Sequence, residues 1–164
     1  MPEHVANRPK KCGDIDIIIK KDGTWWHEGT PIKRTKMVAL FASVLQKNGD
    51  EYWLVTPVEE MRIQVEDAPF VITDVQYAPT ETREYQVQDT IGRTHHITQP
   101  PFLKKNVDGI EIFHVMLERG LLGQFNRQTH IELSQYISIE NNGSWQLKMP
   151  QDENFIWAEG VIDE

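Results

Sequence analysis

One ordered series of residues occurs twice in this chain, and it restricts the fold more than any other feature. An apolar residue two positions before an arginine (Ile32 and Arg34; Phe125 and Arg127) opens an amphipathic stretch, which runs into an Asn-Gly pair (Asn48-Gly49; Asn142-Gly143). A tryptophan, a proline and acidic residues then follow in that order: Trp53, Pro57 and Glu59-Glu60, and again Trp145, Pro150 and Asp152-Glu153. A shift of 93 positions superposes Val38 on Ile131, Leu40 on Leu133 and Val44 on Ile137. Any two amphipathic helices match easily, whereas an ordered set of Arg, Asn-Gly, Trp and Pro is harder to obtain by accident. The expectation is an internal duplication. Each half is a strand–helix–strand unit whose single helix cannot cover its own sheet, so the two pack together to bury what each leaves exposed.

The local pattern fills in the elements. Ile15, Ile17 and Ile19 alternate along 14–20, a half-buried strand, and Asp22-Gly23 suits a two-residue hairpin turn into a strand from Trp25. Met37, Leu40, Phe41, Val44 and Leu45 form one stripe of helical period, which predicts a helix over 34–47 with Thr35 as N-cap and Asn48-Gly49 as its stop. From 51 to 98 no helical period occurs. Short strands at 52–56, 62–66, 70–77, 84–88 and 93–98, separated by Pro57, Ala68-Pro69, Pro79 and Ile91-Gly92, predict an antiparallel meander. A strand over 110–117 and a weaker helix over 127–139, with Ile131, Leu133, Tyr136 and Ile137 as apolar members, complete the reading. The fold class is α+β in two small lobes, each a helix on a mostly antiparallel sheet. An N-terminal lobe is expected over 12–70 and a C-terminal lobe over 71–160.

Composition narrows the function. With 39% hydrophobic residues the chain can build a core, and no apolar run approaches the roughly 20 residues that span a bilayer. The polar N-terminus lacks the apolar stretch of a secretory signal, and Cys12 is the only cysteine, so a cytoplasmic location is expected. Cys12 reads as a small side chain at a strand start rather than a nucleophile. The net charge of −8 divides into +4 over residues 1–48 (9 Lys/Arg, 5 Asp/Glu) and −12 over the remainder (8 against 20). That balance argues against bulk nucleic-acid binding, which needs a basic face.

Motifs for catalysis are missing. His95-His96 are adjacent and point to opposite faces of a strand; His4, His27, His114 and His130 stand apart, and no His or Cys pair has zinc-ligand spacing. No phosphate-binding glycine loop or nucleophile elbow occurs, so neither a catalytic residue nor a metal or cofactor is expected. Glu59, Glu60, Glu66 and Asp67 could serve a metal-dependent hydrolase, although a solvated acidic loop explains them as well. Arg34 and Arg127 are more informative, because each stands at a helix start where the helix dipole disfavours a cation. Either an anionic ligand shares the helix end with them, or an acid of the other lobe pairs with each. Arg62 and Thr56, with Trp26 and Trp53, could add a polar clamp and a stacking surface for a base, and tryptophans on strands equally serve a core.

Five segments, CGDIDIII, DGTWWHEGTPI, KRTKMVALFASVL, EYWLVTP and VEDAPF, lie in this order between Cys12 and Phe70, and VMLERGLLGQFNRQTHIELS follows in the second half. These resemble the bacterial family catalogued as domain of unknown function 1285. Toward the end the chain departs from that family: WQLKMPQDENF stands where a Trp, a Gly-Gly segment and paired Phe are usual. The resemblance implies two lobes, the C-terminal one like a pleckstrin-homology barrel. It also implies an inter-lobe cleft for a nucleotide-like ligand, with a part in bacterial signal transduction and no assigned activity. The matching positions for such a cleft are Trp26, Arg34, Trp53, Thr56, Arg62, Glu66 and Asp67, with Arg127 from the second lobe. The expected function is thus a ligand-binding module for a small anionic, nucleotide-like molecule. The alternative is a protein–protein interaction module without a small ligand.

Overall fold

The structure, a computed structural model, describes residues 11–77, 84–149 and 152–162. His4, Pro79 and Pro150 lie outside them. The first sheet has the order β3-β2-β1-β6-β5-β4, formed by β1 (Lys11–Ile19), β2 (Trp25–His27), β3 (Thr30–Pro31), β4 (Leu45–Asn48), β5 (Glu51–Val55) and β6 (Glu59–Val65). Its central pair, β1 and β6, is parallel and the other pairs are antiparallel. The turn between β1 and β2 differs from the two-residue expectation. Lys20 N–H donates to Thr24 O at 2.8 Å and Gly23 N–H to Lys20 O at 2.9 Å, a three-residue loop closed by Gly23 at φ 85°. A type I turn followed by a left-handed glycine is the next commonest way to close a hairpin. Gly23 is also held close, because a Cβ there would lie 2.9 Å from Thr90 Oγ1 in the second lobe.

Helix α1 covers Thr35–Ser43, shorter than the expected 34–47. Arg34, not Thr35, takes the N-cap position, and no side chain caps the end. The buried positions are Val38 and Ala42, whereas Leu40 is 62% exposed, so the helix is rotated from the predicted stripe. Leu45 leaves the helix to pair with Leu54 in the sheet, where it is fully buried. Its apolar character satisfies helix and strand periods alike, and strand pairing wins. Asn48-Gly49 consequently forms the turn between β4 and β5 rather than a helix stop.

The second lobe has two sheets. One has the order β10-β11-β12-β7-β8-β9, from β7 (Phe70–Tyr77), β8 (Tyr85–Asp89), β9 (Thr94–Ile97), β10 (Phe102–Lys105), β11 (Glu111–Met116) and β12 (Leu122–Phe125). Here β12 and β7 are the parallel pair. Helix α2 (Arg127–Ser134) follows, capped by Asn126, whose side chain accepts from Thr129 N–H at 2.8 Å. It too stops short of the expected 139, since Ile137 opens β13 (Ile137–Ile139), which with β14 (Ser144–Met149) and β15 (Asp152–Val161) makes a small antiparallel sheet. Each helix therefore feeds an antiparallel three-strand meander, β4-β5-β6 or β13-β14-β15. One continuous apolar cluster joins the lobes, running from Ile17, Trp25 and Leu45 through Phe70 and Phe113 to Trp157.

Polar ties cross the junction among the described residues. Arg119, in a 3-10 turn at Glu118–Gly120, donates to the carbonyls of Ala42 and Ser43 at the end of α1. Asp67 Oδ2 accepts from Gln124 Nε2 at 2.9 Å and from Val107 N–H at 3.3 Å. Lys21 Nζ lies 3.4 Å from Asp108 Oδ2.

Candidate ligand-binding groove between the lobes

A groove of about 650 Å³ opens where the β1–β2 hairpin meets the second lobe. Its floor is apolar, from Val71, Ile110, Ile112, Phe125 and Ile131, and its polar groups come from the hairpin (Lys21, Asp22), Gln124 and the start of α2 (Asn126, Arg127, His130). Arg127 is exposed and has no carboxylate partner among the described residues. His130 is held below its ordinary pKa by burial, so the ring is neutral near pH 7. Its Nδ1 accepts from Phe113 N–H at 3.1 Å, which leaves the proton on Nε2 as a donor. Gln124 is fixed by its amide nitrogen, which donates to Asp67 and, at 3.4 Å, to His114 Nε2. His114 Nδ1–H in turn donates to Ile112 O at 2.9 Å. Burial lowers the His114 pKa as well, in keeping with that neutral tautomer. The Gln124 Oε1 atom has no partner among the described residues. Two carboxylates also belong to the wall, Glu111 and Asp22, and Asp22 is engaged by the Thr24 backbone and hydroxyl. Those bonds lower its pKa.

A smaller pocket of about 190 Å³ adjoins through Thr90, lined by Trp25, Lys33, Thr35 and Ile91 among others. The first turn of α1 thus borders the small pocket and that of α2 the larger one. Arg34 lies between Lys33 and Thr35 in sequence, is exposed, lines neither, and has no ion pair among the described residues. The two arginines are therefore without an acid partner among the described residues, but they do not share one pocket.

The other expected residues lie elsewhere. Trp26, Trp53 and Arg62 project from the sheet face opposite α1, alongside the exposed Asp14 and Asp16. Arg62 is not an open clamp: Nε and Nη2 grip Asp14 at 2.8 and 3.1 Å, and Nη1 meets Glu51 at 2.9 Å. Hydrogen bonds to those acids raise its pKa, and its guanidinium lies 5.8 Å over the Trp53 ring. Trp26 donates to Thr24 Oγ1 and carries Lys20 Nζ 4.0 Å above its ring. Thr56 Oγ1 accepts from Glu59 N–H within its own turn. Glu66 accepts from Lys21 N–H at 2.9 Å, and Asp67 binds across the junction, so both acids act as structural acceptors.

The sequence reading missed Lys21, Gln124 and His130, and a buried polar cluster near the junction. His95 is enclosed, with Nε2 2.8 Å from Asp89 Oδ2 and Nδ1 2.8 Å from Glu118 Oε2. Arg93 adds a 3.3 Å contact to Glu118. Burial pulls the His95 pKa down, but the hydrogen bonds to both acids outweigh it and the net shift is upward. With both ring nitrogens engaged, His95 has no lone pair to act as a base. Its pairing opposite Val87 places it at an inward strand position.

No helix is long and apolar enough to cross a membrane among the described residues. A comparison with curated proteins gives no match. The family model described as domain of unknown function (DUF1285), N-terminal domain, matches residues 4–68. Among solved structures, a DUF1285 family protein from Silicibacter pomeroyi DSS-3 is 32% identical with a TM-score of 0.76, over 99% of this chain and 88% of that one. A second, from Shewanella baltica OS155, is 35% identical with a TM-score of 0.62, over 73% of this chain and 90% of that one. The chain belongs to the DUF1285 family.

Proposed function

We propose that this protein is a cytoplasmic ligand-binding module whose inter-lobe groove takes a small anionic, nucleotide-like molecule, with a part in bacterial signal transduction. The reading rests on Arg127, a cation at a helix start with no acid partner among the described residues, facing a groove with an apolar floor. Lys21 and the His130 Nε2–H add donors for an anion, while Gln124 Oε1 offers an acceptor for a base edge. We also read the halves, 12–70 and 71–160, as an internal duplication and the second as pleckstrin-homology-like. The repeated helix-plus-meander connection supports the duplication.

A thermal-shift screen of mononucleotides, cyclic nucleotides and dinucleotides tests the function. A ligand at about a hundredfold excess over its Kd stabilises by roughly 2.7 kcal/mol, which raises Tm by several degrees in a chain of this size. Arg127→Ala should abolish the shift and Arg62→Ala should leave it intact. No shift from any nucleotide, or a shift untouched by Arg127→Ala, refutes the reading.

A further inference from the structure

A second concavity, of about 870 Å³, lies away from Arg127 and is built differently. It is lined by residues 99–103 on one side and 156–162 on the other. Side chains of a strand alternate between faces, so an unbroken run of lining residues means that the strand presents its edge. Both strands concerned are edges: β10 ends one sheet of the second lobe and β15 ends the other. No backbone hydrogen bond joins them among the described residues. The β15 wall therefore has backbone N–H and C=O groups available, the template onto which an extended chain adds, whereas the facing wall runs through Pro100 and Pro101, which have no N–H, and its Gln99 carbonyl accepts from the Tyr85 hydroxyl.

The side chains specify what kind of chain. Phe102, Ile156, Val161 and Ile162 are 37%, 39%, 69% and 50% exposed along the rim, an apolar border that a partner would cover. Trp145 and Trp157 form the floor, and neither indole N–H has an acceptor among the described residues. Trp145 lies flat against Gly160, where a Cβ would come within 2.7 Å of its ring, so the glycine keeps the floor open. The charged residues lining the slot among those described are Glu111 and Glu159, with no lysine or arginine opposite them. Two carboxylates beside an apolar floor complement a strand that alternates apolar and basic side chains.

We propose that the slot between β10 and β15 binds an extended, basic segment of a partner protein as an added β-strand. Its apolar residues face Trp145 and Trp157, and its lysines or arginines meet Glu111 and Glu159. This surface is independent of the nucleotide reading, although Glu111 also borders the inter-lobe groove.

Fluorescein-labelled Lys-Val-Lys-Val-Lys-Val-Lys and its Ile and Leu analogues are the probes, titrated by anisotropy with amide hydrogen exchange on the full chain. Expected is saturable binding by at least one, with new protection confined to amides of β15. Glu159→Lys should weaken it by roughly three- to tenfold, the loss of a rim charge, while Arg127→Ala leaves it unchanged. A peptide N-methylated along one edge should lose binding, which tests strand addition without altering the protein. The proposal falls if no peptide saturates, if the Glu-Val counterpart binds equally, or if protection arises elsewhere. It also falls if sedimentation shows that the protein alone dimerises through the same amides, because the occupant would then be a second copy.

Discussion

Between Asp89 and Glu118, His95 has a carboxylate oxygen 2.8 Å from each ring nitrogen. Both nitrogens donate, so the ring is held as an imidazolium inside the fold, with its side chain 2% exposed. Its pKa is raised above 6.5, so its stabilisation is complete below that value and is lost as pH climbs through the folded-state pKa. His114 and His130 behave oppositely. Burial lowers their pKa, so protonation favours the unfolded chain and stability falls as pH drops below 6.5. Glu118 adds a further loss at lower pH. Burial alone would raise its pKa, but its backbone bond, His95 and Arg93 together lower it, so its contribution fades as pH falls from 4.5. Urea unfolding across pH should therefore show maximal stability near the ordinary histidine value. His95→Gln should remove the alkaline limb and cost about 3 kcal/mol near neutrality, because it leaves the buried Asp89 carboxylate without its charged partner. An unchanged alkaline limb in that variant would show that His95 is neutral in the fold. None of this was legible beforehand, since Asp89 and Glu118 reach His95 only through strand pairing and a distant turn. Arg62 was misread for the same reason: Asp14 and Glu51 are brought to it by neighbouring strands.

At the scale of elements, the end of α1 depends on a residue 76 positions away. Of its last carbonyls, Leu40 O accepts from the Ser43 hydroxyl and Phe41 O from Val44 N–H, while the guanidinium of Arg119 supplies donors to Ala42 and Ser43 O and a favourable charge for the helix dipole. Arg119 holds φ 58°, a left-handed conformation that its two bonds and the following Gly120 help fix. Arg119→Ala should cost about 2 kcal/mol and loosen the α1 amides in hydrogen exchange, with β8 and β9 unchanged. Loss of protection in every element alike would show no local coupling. Gly123 makes a different demand on β12. A Cβ there would lie 2.9 Å from the Ile72 side chain on the parallel neighbour and 3.3 Å from Leu117. Gly123→Ala should destabilise by roughly 1–3 kcal/mol through overpacking, visible in the urea midpoint. The elements themselves were largely legible where a pattern was unambiguous. β1 follows its alternation, β7 spans the expected 70–77, and α2 begins at the expected Arg127. The helix ends were not legible, because Leu45 and Ile137 suit either a helix face or a strand. The groove was half legible: Arg127 follows from its place at a helix start, but Lys21, His130 and Gln124 enter only once the hairpin docks.

For the whole molecule, the lobes share too much to behave as beads on a linker. The apolar cluster is continuous from Ile17 to Trp157, and a hydrophobic junction of that kind suppresses independent domain motion. Polar ties reinforce it from both directions. Arg119 of the second lobe caps α1 of the first, and Asp67 at the joint holds Gln124 and the Val107 backbone. Gly23 has no room for a side chain because the first hairpin lies against Thr90 and Val71 of the other lobe. Opening either lobe alone would expose its neighbour's apolar face and strip α1 of its cap, so partial unfolding costs nearly as much as complete unfolding. A single cooperative transition follows. Hydrogen exchange in increasing urea should bring the β5 and β6 amides of the first lobe to the same unfolding free energy as the β7 and β8 amides of the second. Gly23→Val, which wedges the hairpin away from Thr90, should lower both together. Two distinct free energies in the unaltered protein, or a Gly23→Val effect confined to the first lobe, would mean that the junction transmits little and that the groove between the lobes is free to open.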